Sequence, residues 1–243
     1  MAKIYIVGTP IGNLNDITLR ALDTLKFVDI IACEDTRVTQ KLLDKFEITN
    51  KKLIINNAFT ELKVAKKIID LVQKGRNIAV VSDAGMPAVS DPGFSIIKLA
   101  REENVPLEFI PGVSALTLAF VGSGFSNNFT FLGFVKDKTS QRIKEFKTII
   151  KEFNHTYVYF VSPHKLLNTL QDLFSVFNDS IKISLAKELT KIHETWLIDN
   201  PSNLIDYFSS LDSIKGEFTM CITLPKNKHK KINKYQEFSK HNN

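Results

Sequence analysis

The chain has 243 residues, 44% hydrophobic and 24% charged, enough for one large or two medium domains with real cores. No run reaches the ~18 consecutive apolar residues of a membrane-spanning helix, which argues against that class of protein. The formal charge of +6 is gathered at one end: six Lys and one Glu fall in residues 226–243, leaving 26 basic and 25 acidic side chains in residues 1–225.

The body is therefore nearly neutral. The Lys-rich tail has two readings: a cationic grip on a phosphate backbone, or a solvated terminus. Cys33 and Cys221 sit in apolar runs and read as buried, reduced thiols. Lys3 to Val7 reads as a strand with no charged-then-apolar leader before it, so a cytoplasmic protein is expected.

In chain order, a strand at Lys3 to Gly8 is followed by a helix over Asp16 to Val28 and a strand at Asp29 to Cys33. A helix over Thr36 to Lys45, a strand at Leu53 to Ile55 and a helix over Glu61 to Lys74 come next. The apolar run Ile78 to Val81 then enters the loop around which the chain is organised, Ser-Asp-Ala-Gly-Met-Pro-Ala-Val-Ser-Asp-Pro-Gly, ending at Gly93. Pro87 and Pro92 stiffen that loop, and Gly85 and Gly93 permit torsions or close approaches that a side chain would forbid. A helix over Phe94 to Glu103, a strand at Leu107 to Ile110 and a helix over Val113 to Val121 complete a βαβα rhythm, which predicts a parallel sheet covered on both faces.

The second half reads as a strand at Phe129 to Phe134, a helix over Arg142 to Phe153, a strand at Tyr157 to Val161 and a helix opened by Ser162 and Pro163. A strand at Lys182 to Ala186, a helix near Leu204 to Leu211 and a strand at Phe218 to Leu224 follow. The expected organisation is two α/β domains, residues 1–122 and 123–225, with a cleft between them, and the tail 226–243.

If the first strands are parallel, four loops meet at one sheet edge: Thr9 to Asn13, Glu34 to Arg37, the central loop, and Pro111 to Ser114. Together they supply Glu34, Asp35, Asp83 and Asp91, the cation Arg37, and hydroxyls at Thr9, Ser82 and Ser114. Such a rim suits a polar cofactor and an anionic substrate. The sequence lacks a Gly-Lys-Ser/Thr phosphate loop, a Gly-x-Gly-x-x-Gly fingerprint and a Gly-x-Ser-x-Gly elbow, and its five histidines lack metal-ligand spacing.

Eight motifs then occur in register: Thr9-Pro-Ile-Gly-Asn-Leu14, Glu34-Asp-Thr-Arg37, Val81-Ser-Asp-Ala-Gly85 with Pro87, Asp91-Pro-Gly93, Pro111-Gly112, Ser162-Pro-His164, Glu188-Leu-Thr-Lys191 and Lys215-Gly-Glu217. Over residues 3 to 225 the chain resembles the bacterial 2′-O-ribose methyltransferases of small-subunit ribosomal RNA, which have the tetrapyrrole methylase (class III methyltransferase) fold. The resemblance implies two α/β domains burying S-adenosylmethionine, a homodimer, no metal, and as partner the ribosomal RNA or the assembled small subunit, with a cytidine as acceptor. Carried over by position, cofactor contacts fall on Ile11, Asp83, Met86, Ser114, Ala115, Phe160 and Ala186, and Glu34, Asp35 and Arg37 face the substrate.

On that reading a carboxylate of the Glu34-Asp35 loop is the general base or orienter, and Arg37 grips a flanking phosphate. Asp35 equally suits a cap on the Thr36 helix. Glu188 and Lys191 suit either the opposite, substrate-binding wall of the cleft or an exposed ion pair. The chain departs from the family pattern at Met86, at Phe59-Thr60, at Val161, and at Gly133-Phe-Val-Lys136 where Gly-Phe-Leu-Pro is usual. A tetrapyrrole methylase is the second enzyme reading, opposed by the Glu34-Asp-Thr-Arg37 loop. A non-catalytic ribosome binder is the third, motivated by Met86, Phe59 and Val161.

Overall fold

Strand and helix alternate through residues 1–225, the residues that the computed structural model describes, and the strands sort into two five-stranded sheets. The Lys-rich segment from Lys226 onward lies outside the described residues. The first sheet is built from β1 (Ile4–Val7), β2 (Ile30–Cys33), β3 (Lys52–Ile55), β4 (Ile78–Val80) and β5 (Leu107–Ile110), in the order β3-β2-β4-β1-β5. Every pairing in it is parallel, as the βαβα rhythm predicts.

Side-chain alternation divides the apolar strands between two helical layers. Ile4, Ile6, Ile78 and Val80 point to the face covered by α3 (Glu61–Gln73) and α4 (Phe94–Glu102), where they meet Ile68, Ile69 and Ile96. Val7, Ile31, Cys33 and Ala79 point to the opposite face, against Leu25 of α1 (Leu19–Phe27) and Leu42 and Leu43 of α2 (Thr36–Lys45). β2 and β4 are buried along their whole length, which is why they read as unbroken apolar runs.

The second sheet has the order β6-β7-β10-β8-β9, from β6 (Phe129–Phe134), β7 (Thr156–Val161), β8 (Lys182–Lys187), β9 (Thr195–Asp199) and β10 (Phe218–Thr223). Only β6 and β7 run parallel; the other pairs are antiparallel. α6 (Thr139–Ile149), α7 (Pro163–Phe177) and α8 (Pro201–Ser209) cover one face through Phe146, Leu170, Leu204 and Phe208. The other face is covered by α5 (Ala115–Ser123), whose Ala119 packs with Val158, Ala186 and Cys221. By packing, α5 goes with the second sheet although it follows the last strand of the first. Both cysteines are buried and unbonded, and burial pushes the Cys221 thiol up to about 12.

Three elements differ from the sequence reading for local reasons. α1 starts at Leu19 because Thr18 caps it, accepting the Ala21 N–H at 3.1 Å, and a 3-10 turn at Leu14–Asp16 takes up the preceding residues. α6 begins at Thr139, where Arg142 binds the carbonyls of Lys136 and Asp137 and folds the approach to the helix against its first turn. β9 is an edge strand added to β8 that the sequence pattern does not predict. Among the described residues no helix is long and apolar enough to cross a membrane.

The sheet's working edge is pinned by a backbone contact. A Cβ on Gly8, which follows β1, would lie 2.6 Å from Gly112, which follows β5, and 2.6 Å from the Met86 sulfur. Neither strand end can withdraw without losing the Gly8 N–H bond to the Ile110 carbonyl at 3.0 Å. Gly8→Ala is therefore expected to destabilise the protein by roughly 1–3 kcal/mol, measured by urea unfolding; a change below a few tenths would show that the contact relaxes freely.

Candidate active site

All four loops converge at the carboxyl edge of the parallel sheet. Thr9 forms a β-bridge with Gly85, exchanging backbone hydrogen bonds at 2.9 and 3.1 Å, and its hydroxyl donates to the Ser82 carbonyl at 3.2 Å. Gly85 holds φ +76°, a torsion that favours glycine. The Asp83 carboxylate accepts the Asp35 N–H at 3.0 Å and so ties the second loop to the central one. At the far end of the central loop, Glu61 of α3 accepts the N–H groups of Gly93 and Ser95 at 2.8 and 2.9 Å, capping α4 from a neighbouring helix.

Between this edge and the second sheet lies a cavity of about 380 Å³. Ile11, Asp83, Met86, Ser114, Ala115, Phe160 and Ala186, the residues named from sequence for the cofactor, all line it. The structure adds Val89, Asp91, Phe134, Leu189 and Thr219. Both domains contribute because loops cross between them. The Asn13 N–H donates to the Thr190 hydroxyl at 3.1 Å, and a Cβ on Gly12 would lie 2.5 Å from the Lys191 side chain, so the first loop is seated on the Glu188–Lys191 turn. On the central loop, Ser90 comes close enough to the second sheet that a Cβ on Gly133 would touch its hydroxyl at 3.4 Å.

The acids of the edge fall into two groups. Asp35 caps α2 by accepting the Arg37 N–H at 2.8 Å, and its carboxylate also pairs bidentately with the Arg37 guanidinium, at 2.5 Å in the shortest contact. Those bonds to Arg37 hold the Asp35 carboxyl down at about 2. Among the described residues no cation bonds Glu34, Asp83 or Asp91 in this way: burial, reinforced by repulsion among the edge acids, raises all three, and Asp91 reaches about 6. Asp35 and Arg37 stand outside the cavity, with Arg37 bordering a shallow groove beside Gln40 and Lys41.

Glu188 and Lys191 form a brace. Glu188, at φ +52°, accepts the Glu217 N–H at 2.8 Å and the Lys191 ammonium at 3.0 Å, while Lys191 also reaches Glu217 at 2.9 Å. Partial burial works against both charges, yet these bonds outweigh it, lowering Glu188 and raising Lys191. They border a groove outside the cavity, so their visible work is to hold the turn that carries the first loop. Among the described residues no group of three or more His, Cys, Asp or Glu is placed to hold a metal ion.

Two α/β domains sharing one cleft at the carboxyl edge of a parallel sheet define the tetrapyrrole methylase architecture. The family model described as Tetrapyrrole (Corrin/Porphyrin) Methylases matches residues 3–203. Diphthine synthase has the same fold, with a TM-score of 0.68 at 17% identity, covering 93% of this chain and 91% of that one. So has uroporphyrin-III C-methyltransferase from Thermus thermophilus, complexed with S-adenyl homocysteine, with a TM-score of 0.64 at 14% identity and coverage of 90% and 97%. Ribosomal RNA small subunit methyltransferase I of Mycoplasmopsis pulmonis is 50% identical over 220 residues, 90% of this chain and 97% of that protein. The chain belongs to the tetrapyrrole (corrin/porphyrin) methylase family, among the proteins named ribosomal RNA small subunit methyltransferase I.

The cap and the ion pair at Asp35 can be separated. Asp35→Ala is expected to lower the midpoint of urea unfolding measurably, whereas Asp35→Asn, which keeps a capping oxygen, leaves it nearly unchanged. Equal losses in the two variants would show that the pair with Arg37, and not the cap, stabilises this loop.

Proposed function

We propose that the protein is an S-adenosylmethionine-dependent methyltransferase acting on the ribose 2′-hydroxyl of a cytidine in small-subunit ribosomal RNA. The observation that carries the reading is the single cleft, lined from both domains, in which apolar walls (Ile11, Met86, Val89, Phe160, Leu189) meet Asp83 and Asp91. Apolar walls suit an adenosyl group, and carboxylates not bonded to a protein cation suit a sulfonium. The names of relatives up to 50% identical support ribosomal RNA as the substrate.

S-adenosylmethionine supplies an activated methyl group; the chain's own work is to align it with the acceptor oxygen and exclude water. Ile11 and Met86 hold the cofactor from the first domain, with Ser114 and Ala115 at the start of α5, and Phe160 and Ala186 from the second sheet. A ribose hydroxyl must shed its proton. Asp35, held near 2 by Arg37, is a poor acceptor, whereas Asp91 at about 6 is matched to proton exchange near neutral pH. The Glu34-Asp35-Arg37 lip then serves as an orienting wall, with Asp35 fixing the guanidinium that the first domain offers to the RNA strand. Glu188 and Lys191 act on the substrate side by bracing the first loop. The reading includes a homodimer: α5 is a mostly apolar helix on which Leu118 and Val121 are exposed, a face suited to a second copy.

Incubating the protein with unmodified small subunits and methyl-labelled cofactor, then digesting the RNA for mass analysis, should place one label on a cytidine ribose. Label on a base or on no RNA would reject the assignment; uptake of uroporphyrin as methyl acceptor would favour the tetrapyrrole reading, and no saturable cofactor uptake the non-catalytic one.

The carboxylates also set a pH dependence. A cation binds the ionised form of Asp91, so affinity for S-adenosylmethionine should rise about threefold or more from pH 5 to pH 7, as protons leave a group titrating near 6. The demethylated product, with an uncharged sulfur, should change less than about twofold over the same range. Calorimetry checks both, and Asp91→Asn should flatten the first curve; parallel curves for the two ligands would remove Asp91 from the sulfonium's surroundings.

A further inference from the structure

A groove of about 470 Å³ on the second domain lies beside the cofactor cleft and shares Phe134 and Ser162 with it. Its shape comes from one extra residue in β6. The parallel pairing with β7 runs in register to Phe131 opposite Val158, then slips, so that Phe134 and not Gly133 meets Phe160. Gly133, at φ +71°, makes the slip possible. A one-residue shift turns the next side chain to the other face. Phe134 consequently stands at the rim, 55% exposed, with its ring edge-on to Phe160 at 5.4 Å between centroids.

The chain beyond Phe134 is held rigidly. Arg142 is buried against Asp172 at 2.6 Å, and its remaining donors bind the carbonyls of Lys136 and Asp137 at 3.0 and 2.8 Å and the Thr139 hydroxyl at 2.8 Å. This places Lys136 and Asp137 at the groove, facing Lys165 from the first turn of α7, with Gln141 between. Lys165 pairs with the exposed Asp137, and Lys136 lies 3.6 Å from Glu145. The Lys165–Asp137 pair is solvent-facing and worth little, so a phosphate can replace the carboxylate on Lys165 at small cost, whereas Glu145 is largely buried beside Lys136. The opposite lip would repel a phosphate, because Glu34, Asp35, Asp83 and Asp91 outnumber Arg37 there, whereas on this side Lys136 and Lys165, with Lys138 next in the chain, face Asp137 and Glu145.

We propose that this groove is the acceptor-nucleoside subsite, with the Phe134 ring stacking on the base, Lys165 and Lys136 holding the adjoining phosphate, and Gln141 offering its amide to the base edge. The proposal rests on the RNA methyltransferase reading and names the surface that brings the acceptor ribose to the cleft mouth. An exposed aromatic ring beside flexible cations is the usual equipment for holding an unpaired nucleotide.

The test is methyl transfer to unmodified small subunits by Phe134→Leu, Phe134→Tyr, Lys165→Ala and Gln141→Ala, with folding checked by thermal melting and cofactor affinity by calorimetry. Phe134→Leu and Lys165→Ala are expected to raise the KM for subunits roughly tenfold, Gln141→Ala about threefold, and Phe134→Tyr less than about twofold. Lys165→Ala should also reduce the slope of log affinity against log salt by about one, with cofactor affinity unchanged. Folded Phe134→Leu and Lys165→Ala proteins with wild-type KM and salt slope would overturn the subsite while leaving the methyltransferase reading intact. Wild-type protein that binds cofactor but methylates no RNA would overturn that reading and the subsite with it.

Discussion

The Thr9–Gly85 bridge, with the Gly8–Gly112 approach beneath it, is the constraint on which the rest of the site depends. Parallel strands end in loops with no partner for their backbone groups, and four such loops would ordinarily splay into solvent. Here two of them pair with each other as a continuation of the sheet, and a third packs against their base without a side chain between. The floor of the cleft is therefore backbone. Its position is set by hydrogen bonds at 2.9 and 3.1 Å and by direct contact, not by rotamers. That leaves Ile11, Asp83, Met86 and Ser114 to project from a common platform toward the second sheet.

Much of this was legible in the sequence because buried parallel strands leave a plain signature. β2 and β4 have no polar residue to reconcile with a solvated face, and the Gly/Pro punctuation after β1, β4 and β5 marked three of the four loops that meet. Which sheet α5 covers was not legible, because its apolar residues are not gathered on one side; the contact of Gly122 beneath Trp196 joins positions far apart in the chain. β9 escaped because an edge strand with exposed residues near both ends, Thr195 and Ile198, lacks the alternation of a half-buried one. Phe134 was hidden for a related reason. Phe129 to Phe134 reads as an unbroken strand, and only the register against β7 tells which way the ring after Gly133 turns.

The acids illustrate a different limit. The inferred parallel strand order placed Glu34, Asp35, Asp83 and Asp91 at one edge, and nothing in their spacing ranked them. The ranking comes from where the guanidinium of that edge points. Arg37, two residues into α2, folds back on the cap residue of its own helix, and that local geometry neutralises Asp35. The other three are left in a partly dry setting among like charges, so the cleft concentrates negative potential with no bonded cation among the described residues. A site that stores unpaired like charge is destabilising unless a ligand of opposite sign completes it.

The same charge arithmetic bears on how a nearly neutral body, residues 1–225, handles a polyanion. A body with 26 basic and 25 acidic side chains in residues 1–225 cannot hold RNA by its overall field, so attraction has to be local and registered. The two lips of the cleft divide the labour by sign. The first-domain lip concentrates carboxylates where a sulfonium belongs and would repel phosphate; the second-domain lip sets lysines on a segment immobilised by a buried guanidinium. In the proposed subsite, entry with phosphates on the lysines and sugar toward the carboxylates is the orientation these charges favour. Orientation by opposed charges across one opening needs the two sheets fixed relative to each other, and this is what the seating of the first loop on the Glu188–Lys191 turn provides.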